Sequence, residues 1–305
     1  MTVPMIGAEA EAHLDWIALS DSLAQGHARP RAKIADSFLE RGADTLLNRA
    51  AWIDGLGLLV KSATVFPGNG AQGVPAVNGG VSLFDDATGR LEAVLDFHLV
   101  TKWKTAADSL LAARRLARPD SRAILIVGAG QVAAAMIAAY RAAFPAAQFT
   151  IWNRSPAAAE RLAAAAGAGV ADDLAAAVAA ADIVATATMS PTPLIKGAWL
   201  RPGQHLDLIG AFRPDMREVD DATLTRARLF VDSRATTLPH IGEIRDPLER
   251  GVIAEADIIA DFYDLPSGAF SRLSADEITL CKNGGGAHLD LMTARYILDA
   301  QPKGA

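Results

Sequence analysis

The sequence predicts an α/β protein in two parts: a Rossmann-type doubly wound parallel sheet and an N-terminal α+β domain. Three observations carry this. The chain has 305 residues, and compact domains run to roughly 100–200 residues. Beyond Pro119, short apolar runs alternate with alanine-rich helical stretches, the rhythm of a parallel sheet covered by helices. Before it, residues 45–103 hold short apolar runs broken by Gly and Pro, with no long helical pattern between them.

In the first part, the runs at 56–65, 74–77, 81–84 and 91–97 read as strands of an antiparallel or mixed sheet. Asp85-Asp86-Ala87-Thr88-Gly89 separates the last two at hairpin distance, with Gly89 placed for a positive φ. Helical spacing is expected from 104 to 118, where Pro119 stops it. In the second part, 123–127 is a fully apolar run, the mark of a buried parallel strand. A helix is expected over 131–143, a strand over 149–152, and helices over 156–166 and 173–181. Strands follow at 182–188, 205–209 and 228–231. Asp220-Asp221 reads as a helix cap rather than an acid/base pair.

Composition removes several classes of function. Hydrophobic residues make up 51% of the chain, enough for a sizeable core and too many for wholesale disorder. Mean hydropathy is +0.19, but the surplus is alanine, and its runs are interrupted by Glu160, Arg161, Asp172 and Asp173. No stretch approaches the roughly 20 strongly apolar residues of a spanning helix. The one cysteine, Cys281, excludes a disulfide framework and a multi-cysteine metal site, and reads as a buried small hydrophobe. A net charge of −6 gives no basic character to attract nucleic acid. The first residues carry acids and no basic start, so no secretory signal is expected. The expectation is a soluble, cytoplasmic protein. His98, His240 and His288 have no ligand spacing; each is expected to be structural, and no metal is implied.

Gly128-Ala129-Gly130-Gln131-Val132-Ala133 follows an apolar strand and opens a helix, the setting that a dinucleotide fingerprint requires. Gly128 allows the tight turn and Gly130 the approach of a pyrophosphate. Ala133 is the small residue where helix meets strand. The amides of Gln131 and Val132 aim the helix end at the phosphates. The next strand ends in Trp152-Asn153-Arg154-Ser155, without the acid that grips the ribose 2′-hydroxyl of NAD. Arg154 suits a 2′-phosphate, with Asn153 and Ser155 as neutral donors. NADP(H) is therefore favoured, with NAD(H) possible. Thr188 and Met189 are expected beside the nicotinamide ribose, and the glycines around Gly285 at the nicotinamide end.

Further blocks carry a resemblance. They are Lys61-Ser62-Ala63-Thr64-Val65-Phe66-Pro67-Gly68-Asn69, Thr101-Lys102-Trp103-Lys104-Thr105-Ala106-Ala107, Gly210-Ala211-Phe212-Arg213-Pro214-Asp215-Met216-Arg217-Glu218 and Lys282-Asn283-Gly284-Gly285-Gly286. Together they resemble the ornithine cyclodeaminase/mu-crystallin family over essentially the whole chain. The resemblance implies that 1–118 binds substrate and dimerises, that 119–286 binds NAD(P), and that 287–305 returns to the first domain. It implies a homodimer and a substrate cleft between the two domains. It also implies that Arg31, Lys61 and Lys104 hold the carboxylate of a small imino acid. Lys104 stands where the family usually has Arg, which leaves it either a weaker anchor or a proton donor; Lys61 and Lys104 are the candidate catalytic residues. Lys61 sits in an apolar strand, where it is costly unless paired. Phe212 replaces the Asp of cyclodeaminases, which turns the resemblance toward the ketimine reductases. The expected activity is NADPH-dependent reduction of cyclic ketimines to L-proline or L-pipecolate. The alternatives are ornithine cyclodeamination and a crystallin-like protein that binds NADPH without turnover.

Overall fold

The computed structural model describes residues 3–302. Two compact units are present: Met1–Lys104 with Gly286–Ala305, and Thr105–Gly285. Residues 1–2 and 303–305 of the expected ranges lie outside the described residues.

The first unit contains β1 (Met5–Ile6), α1 (Trp16–His27), β2 (Lys33–Arg41), β3 (Asp44–Ile53), β4 (Gly57–Val65), β5 (Val77–Phe84) and β6 (Leu91–Asp96). Its sheet runs β1-β6-β5-β4-β3-β2. It is mixed, because β1 lies parallel to β6 while the other pairs are antiparallel. Along β4, Leu59, Lys61 and Ala63 are buried while their neighbours are not, the period of two that a one-sided sheet imposes. The apolar run at 74–77 is not a strand of its own. Residues 74–76, with Pro75, form the approach to β5, which continues unbroken to Phe84.

Helix α2 (Phe97–Leu116) starts seven residues ahead of the expected 104. The cause is Asp96: its Oδ1 accepts the Leu99 amide at 2.6 Å, capping a helix that follows the strand without a loop. The division between the units falls inside this helix.

The second unit holds β7 (Ala123–Val127), α3 (Gln131–Ala143), β8 (Gln148–Trp152), α4 (Pro156–Ala166), β9 (Gly169–Val170), α5 (Leu174–Ala180), β10 (Ile183–Thr186), β11 (His205–Leu208), α6 (Asp221–Arg226), β12 (Arg228–Val231), α7 (Arg234–Thr237), α8 (Gly242–Glu249), β13 (Ile258–Ala260) and β14 (Thr279–Lys282). Every pair is parallel, in the order β13-β12-β14-β11-β10-β7-β8-β9. Leu125, Val127, Val184, Leu206, Leu208 and Leu280 meet in its core. Asp220 caps α6 by accepting the Thr223 amide at 2.9 Å. Strand β10 ends at Thr186 rather than 188, because the Thr188 amide turns to the Glu218 carboxylate.

The chain closes with α9 (Ala287–Asp299), which belongs to the first unit and packs on α1, β3 and β4. No helix among the described residues is long and apolar enough to cross a membrane.

Candidate functional site

The sequence-predicted residues fall into two groups, one in each unit.

In the second unit the turn from β7 to α3 has the geometry that its glycines require. Gly128 has φ 124°, and a Cβ there would lie 2.6 Å from the Ala187 carbonyl oxygen, so both conformation and space demand glycine. A Cβ on Gly130 would meet nothing within 4 Å. That glycine is the N-cap of α3 and offers no side-chain hydrogen bond. The first-turn amides, including those of Gln131 and Val132, thus have no capping side chain and face an open approach. This fits an anionic diphosphate. Ala133 is buried against the sheet. At the end of β8, Arg154 and Ser155 are exposed, and no hydrogen bond or ion pair engages the Arg154 guanidinium among the described residues. Asn153 is partly committed, its Nδ2 donating to the Ser155 carbonyl at 3.0 Å.

Two buried carboxylates that sequence reasoning did not single out shape the rim of this unit. Glu218 Oε1 accepts the Thr188 amide and hydroxyl at 2.9 and 2.7 Å. Its Oε2 accepts the amides of Gly210 and Ala211 at 2.8 and 3.2 Å. One side chain therefore ties the loops that follow β10 and β11, and the Thr188 proton is already donated. Asp232 Oδ2 accepts the amides of Gly284 and Gly285 at 2.9 and 2.6 Å, holding the loop after β14. Lys282, wholly buried, donates to the carbonyls of Leu208 and Asn283 at 2.7 and 2.8 Å. Met189 and Phe212 stand out from these loops, 74% and 56% exposed.

In the first unit Lys61 is 6% exposed. Its ammonium is 2.8 Å from Asp290 Oδ1 and 4.8 Å from the centre of the Phe97 ring. Burial pulls the Lys61 pKa down, Asp290 pulls it back, and Lys104 and Arg49 oppose it; the balance stays below the ordinary lysine value. For Asp290, burial raises the pKa, but Lys61, Lys104 and Arg49 outweigh it and hold the carboxyl below its ordinary range. Each charge thus favours the ionised form of the other. Lys104 is half-buried on α2, and Arg31 is exposed between α1 and β2. Asp290 was absent from the sequence reading. The signal was present, however: an acid within the apolar run Leu289 to Met292, and a buried lysine that needs a counter-charge. His288 is buried, as a structural histidine would be, whereas His98 and His240 are exposed rather than built into the core.

The chain as a whole resembles known proteins. Residues 52–304 match the model of the Ornithine cyclodeaminase/mu-crystallin family. The chain is 52% identical over 296 residues to a Delta(1)-pyrroline-2-carboxylate reductase of Paracoccus denitrificans, covering 95% of this chain and 94% of that relative. It is 33% identical to the ketimine reductase mu-crystallin of Rattus norvegicus, over 81% and 77% of the two chains. A solved structure of the Thermococcus litoralis Delta(1)-pyrroline-2-carboxylate reductase, in complex with NADH and L-proline, superposes with a TM-score of 0.88. It is 26% identical and covers 98% and 97% of the two chains.

Proposed function

Because this chain belongs to the ornithine cyclodeaminase/mu-crystallin family, we propose that it is an NADPH-dependent reductase of cyclic ketimines. It would convert Δ1-pyrroline-2-carboxylate or Δ1-piperideine-2-carboxylate to L-proline or L-pipecolate. The observation that carries this reading is the 52% identity to a named reductase of this class, sustained over 95% of the chain.

Arg31, Lys61 and Lys104 would hold the substrate carboxylate, and Lys61 or Lys104 would place a proton on the imine nitrogen. Protonation makes the C=N carbon the better hydride acceptor. Gly128, Gly130, Gln131 and Val132 would hold the cofactor diphosphate; Thr188, Met189 and Gly285 would flank its nicotinamide end. A reduced nicotinamide bound there supplies the hydride. Phe212 offers no proton and no charge, which argues against handling a free amine and losing ammonia. The unengaged Arg154 fork at the end of β8 supports preference for a 2′-phosphate. Pairing of two copies through the first unit is supported by the exposed apolar residues of β2.

The test is direct. Purified protein should oxidise NADPH with either cyclic imine and form the L-amino acid, while ornithine releases no ammonia. Arg154→Ala should raise KM for NADPH roughly tenfold, the scale of one charge-assisted contact, and leave NADH unaffected. Absence of NADPH oxidation with cyclic and linear ketimines alike would overturn the reading.

A further inference from the structure

We propose that Asp290, on the C-terminal helix, is a positioning residue for Lys61: it fixes the ammonium in place and sets the pH above which the site loses that charge. The proposal deepens the reading of Lys61 as a substrate-facing cation and rests on it.

The geometry is specific. Asp290 is buried, and one of its oxygens is 2.8 Å from Lys61 Nζ. A buried lysine would otherwise shed its proton as solvent is excluded. The charged groups around Lys61 come from each neighbouring element. Arg49 is its register partner on β3, Lys104 lies on α2, and Asp290 lies on α9. On β5 the register partner is Val81, which has no charge. Arg49 is itself held by Asp36 at 2.8 Å. His288, two residues before Asp290 on α9, stays neutral, since burial first and then His27 drive its pKa well below the ordinary value. Asp290 is therefore the group that opposes the repulsion of Lys104 and Arg49 on Lys61. With it, a substrate carboxylate meets a fixed cation; without it, Lys61 is both less charged and free to change rotamer.

The experiment measures the affinity of pyrrole-2-carboxylate by calorimetry between pH 6 and pH 11, without cofactor, alongside the pH profile of kcat/KM. This probe is an imino-acid-shaped anion whose own charge is constant over that range. In Asp290→Asn the negative charge is gone, so the Lys61 pKa falls, and the alkaline limb of both profiles should move down by about one pH unit or more. Asp290→Glu keeps the charge but displaces it. Its limb should stay near the wild-type position while kcat falls about tenfold or more. If Asp290→Asn is folded by near-ultraviolet circular dichroism and its limb does not move, the proposal is wrong. Should that variant fail to fold, an unaltered kcat in Asp290→Glu overturns the proposal equally. Lys61→Met separates the underlying reading: wild-type affinity in that variant would refute the role of Lys61 itself, whatever Asp290 does.

Discussion

At the scale of single residues, the two glycines of the β7–α3 turn do different work. Gly128 is fixed by the fold, since an added methyl would collide with the Ala187 carbonyl at a φ that only glycine adopts freely. Gly130 has open space and φ −90°, so its glycine character is unnecessary to the apo fold. Gly128→Ala should lower the melting temperature, at a cost of about 1–3 kcal/mol. Gly130→Ala should leave melting unchanged and weaken NADPH binding more than tenfold, read by nicotinamide fluorescence. A Gly130→Ala variant that binds NADPH normally would remove the diphosphate from this turn. The sequence made both glycines visible because their motif is local. Asp290 was not visible in the same way: it lies 229 residues from Lys61, and nothing within either segment identifies the other as its partner.

At the scale of elements, β2 is the edge of its sheet and is exposed along its whole length. Phe38 and Leu39 are 59% and 66% exposed. Such an edge carries unpaired backbone groups and apolar side chains that a partner strand or face would cover. If a second copy covers it, Phe38→Asp should raise the dimer dissociation constant at least tenfold in sedimentation equilibrium without lowering the melting temperature. A variant that remains dimeric would place the interface elsewhere. The same exposure explains why β2 escaped sequence reading. Ile34, Phe38 and Leu39 do not alternate with polar residues, so neither a period of two nor a helical period emerges. From β7 to β10 the helices and strands were legible to within about two residues, except β9, whose two residues Gly169 and Val170 carry no pattern of their own; small apolar strands and alanine-rich helices are set by local pattern. β14 was not read as a strand; its four residues are too few to distinguish strand from core loop without the neighbouring β11 and β12.

At the scale of the whole molecule, buried ionisable groups oppose one another. Burial pushes the carboxyls of Asp207 and Glu243 up to about 7 each, and pulls His27 and His205 down to about 4 and about 3. The raised acids keep protons that the unfolded chain releases, so their contribution is full below the ordinary carboxyl pKa and is lost as pH rises toward 7. The histidines stay neutral where the unfolded chain protonates, so theirs is full above about 6.5 and is lost as pH falls. Between about pH 4.5 and 6.5 the two slopes largely cancel. Asp207→Asn removes one acid while its oxygen can still accept the Tyr140 hydroxyl. Its stability relative to wild type should therefore climb as pH rises from 4 to 7.5, by a total on the order of 3–4 kcal/mol, measured by urea unfolding. A difference that does not vary with pH would mean that Asp207 is ionised throughout.

The return of α9 to the first unit has a consequence for the order in which the molecule can be made. Ribosomes release chains from the N-terminus, so every residue of the second unit has emerged before the C-terminal helix. The first unit is begun before the second and completed after it. Until Asp290 leaves the exit tunnel, Lys61 has no counter-charge and β3 and β4 lack the helix that covers them. The sheet made before the second unit thus waits until that whole unit has been made, and only afterwards does the carboxylate that settles its lysine arrive.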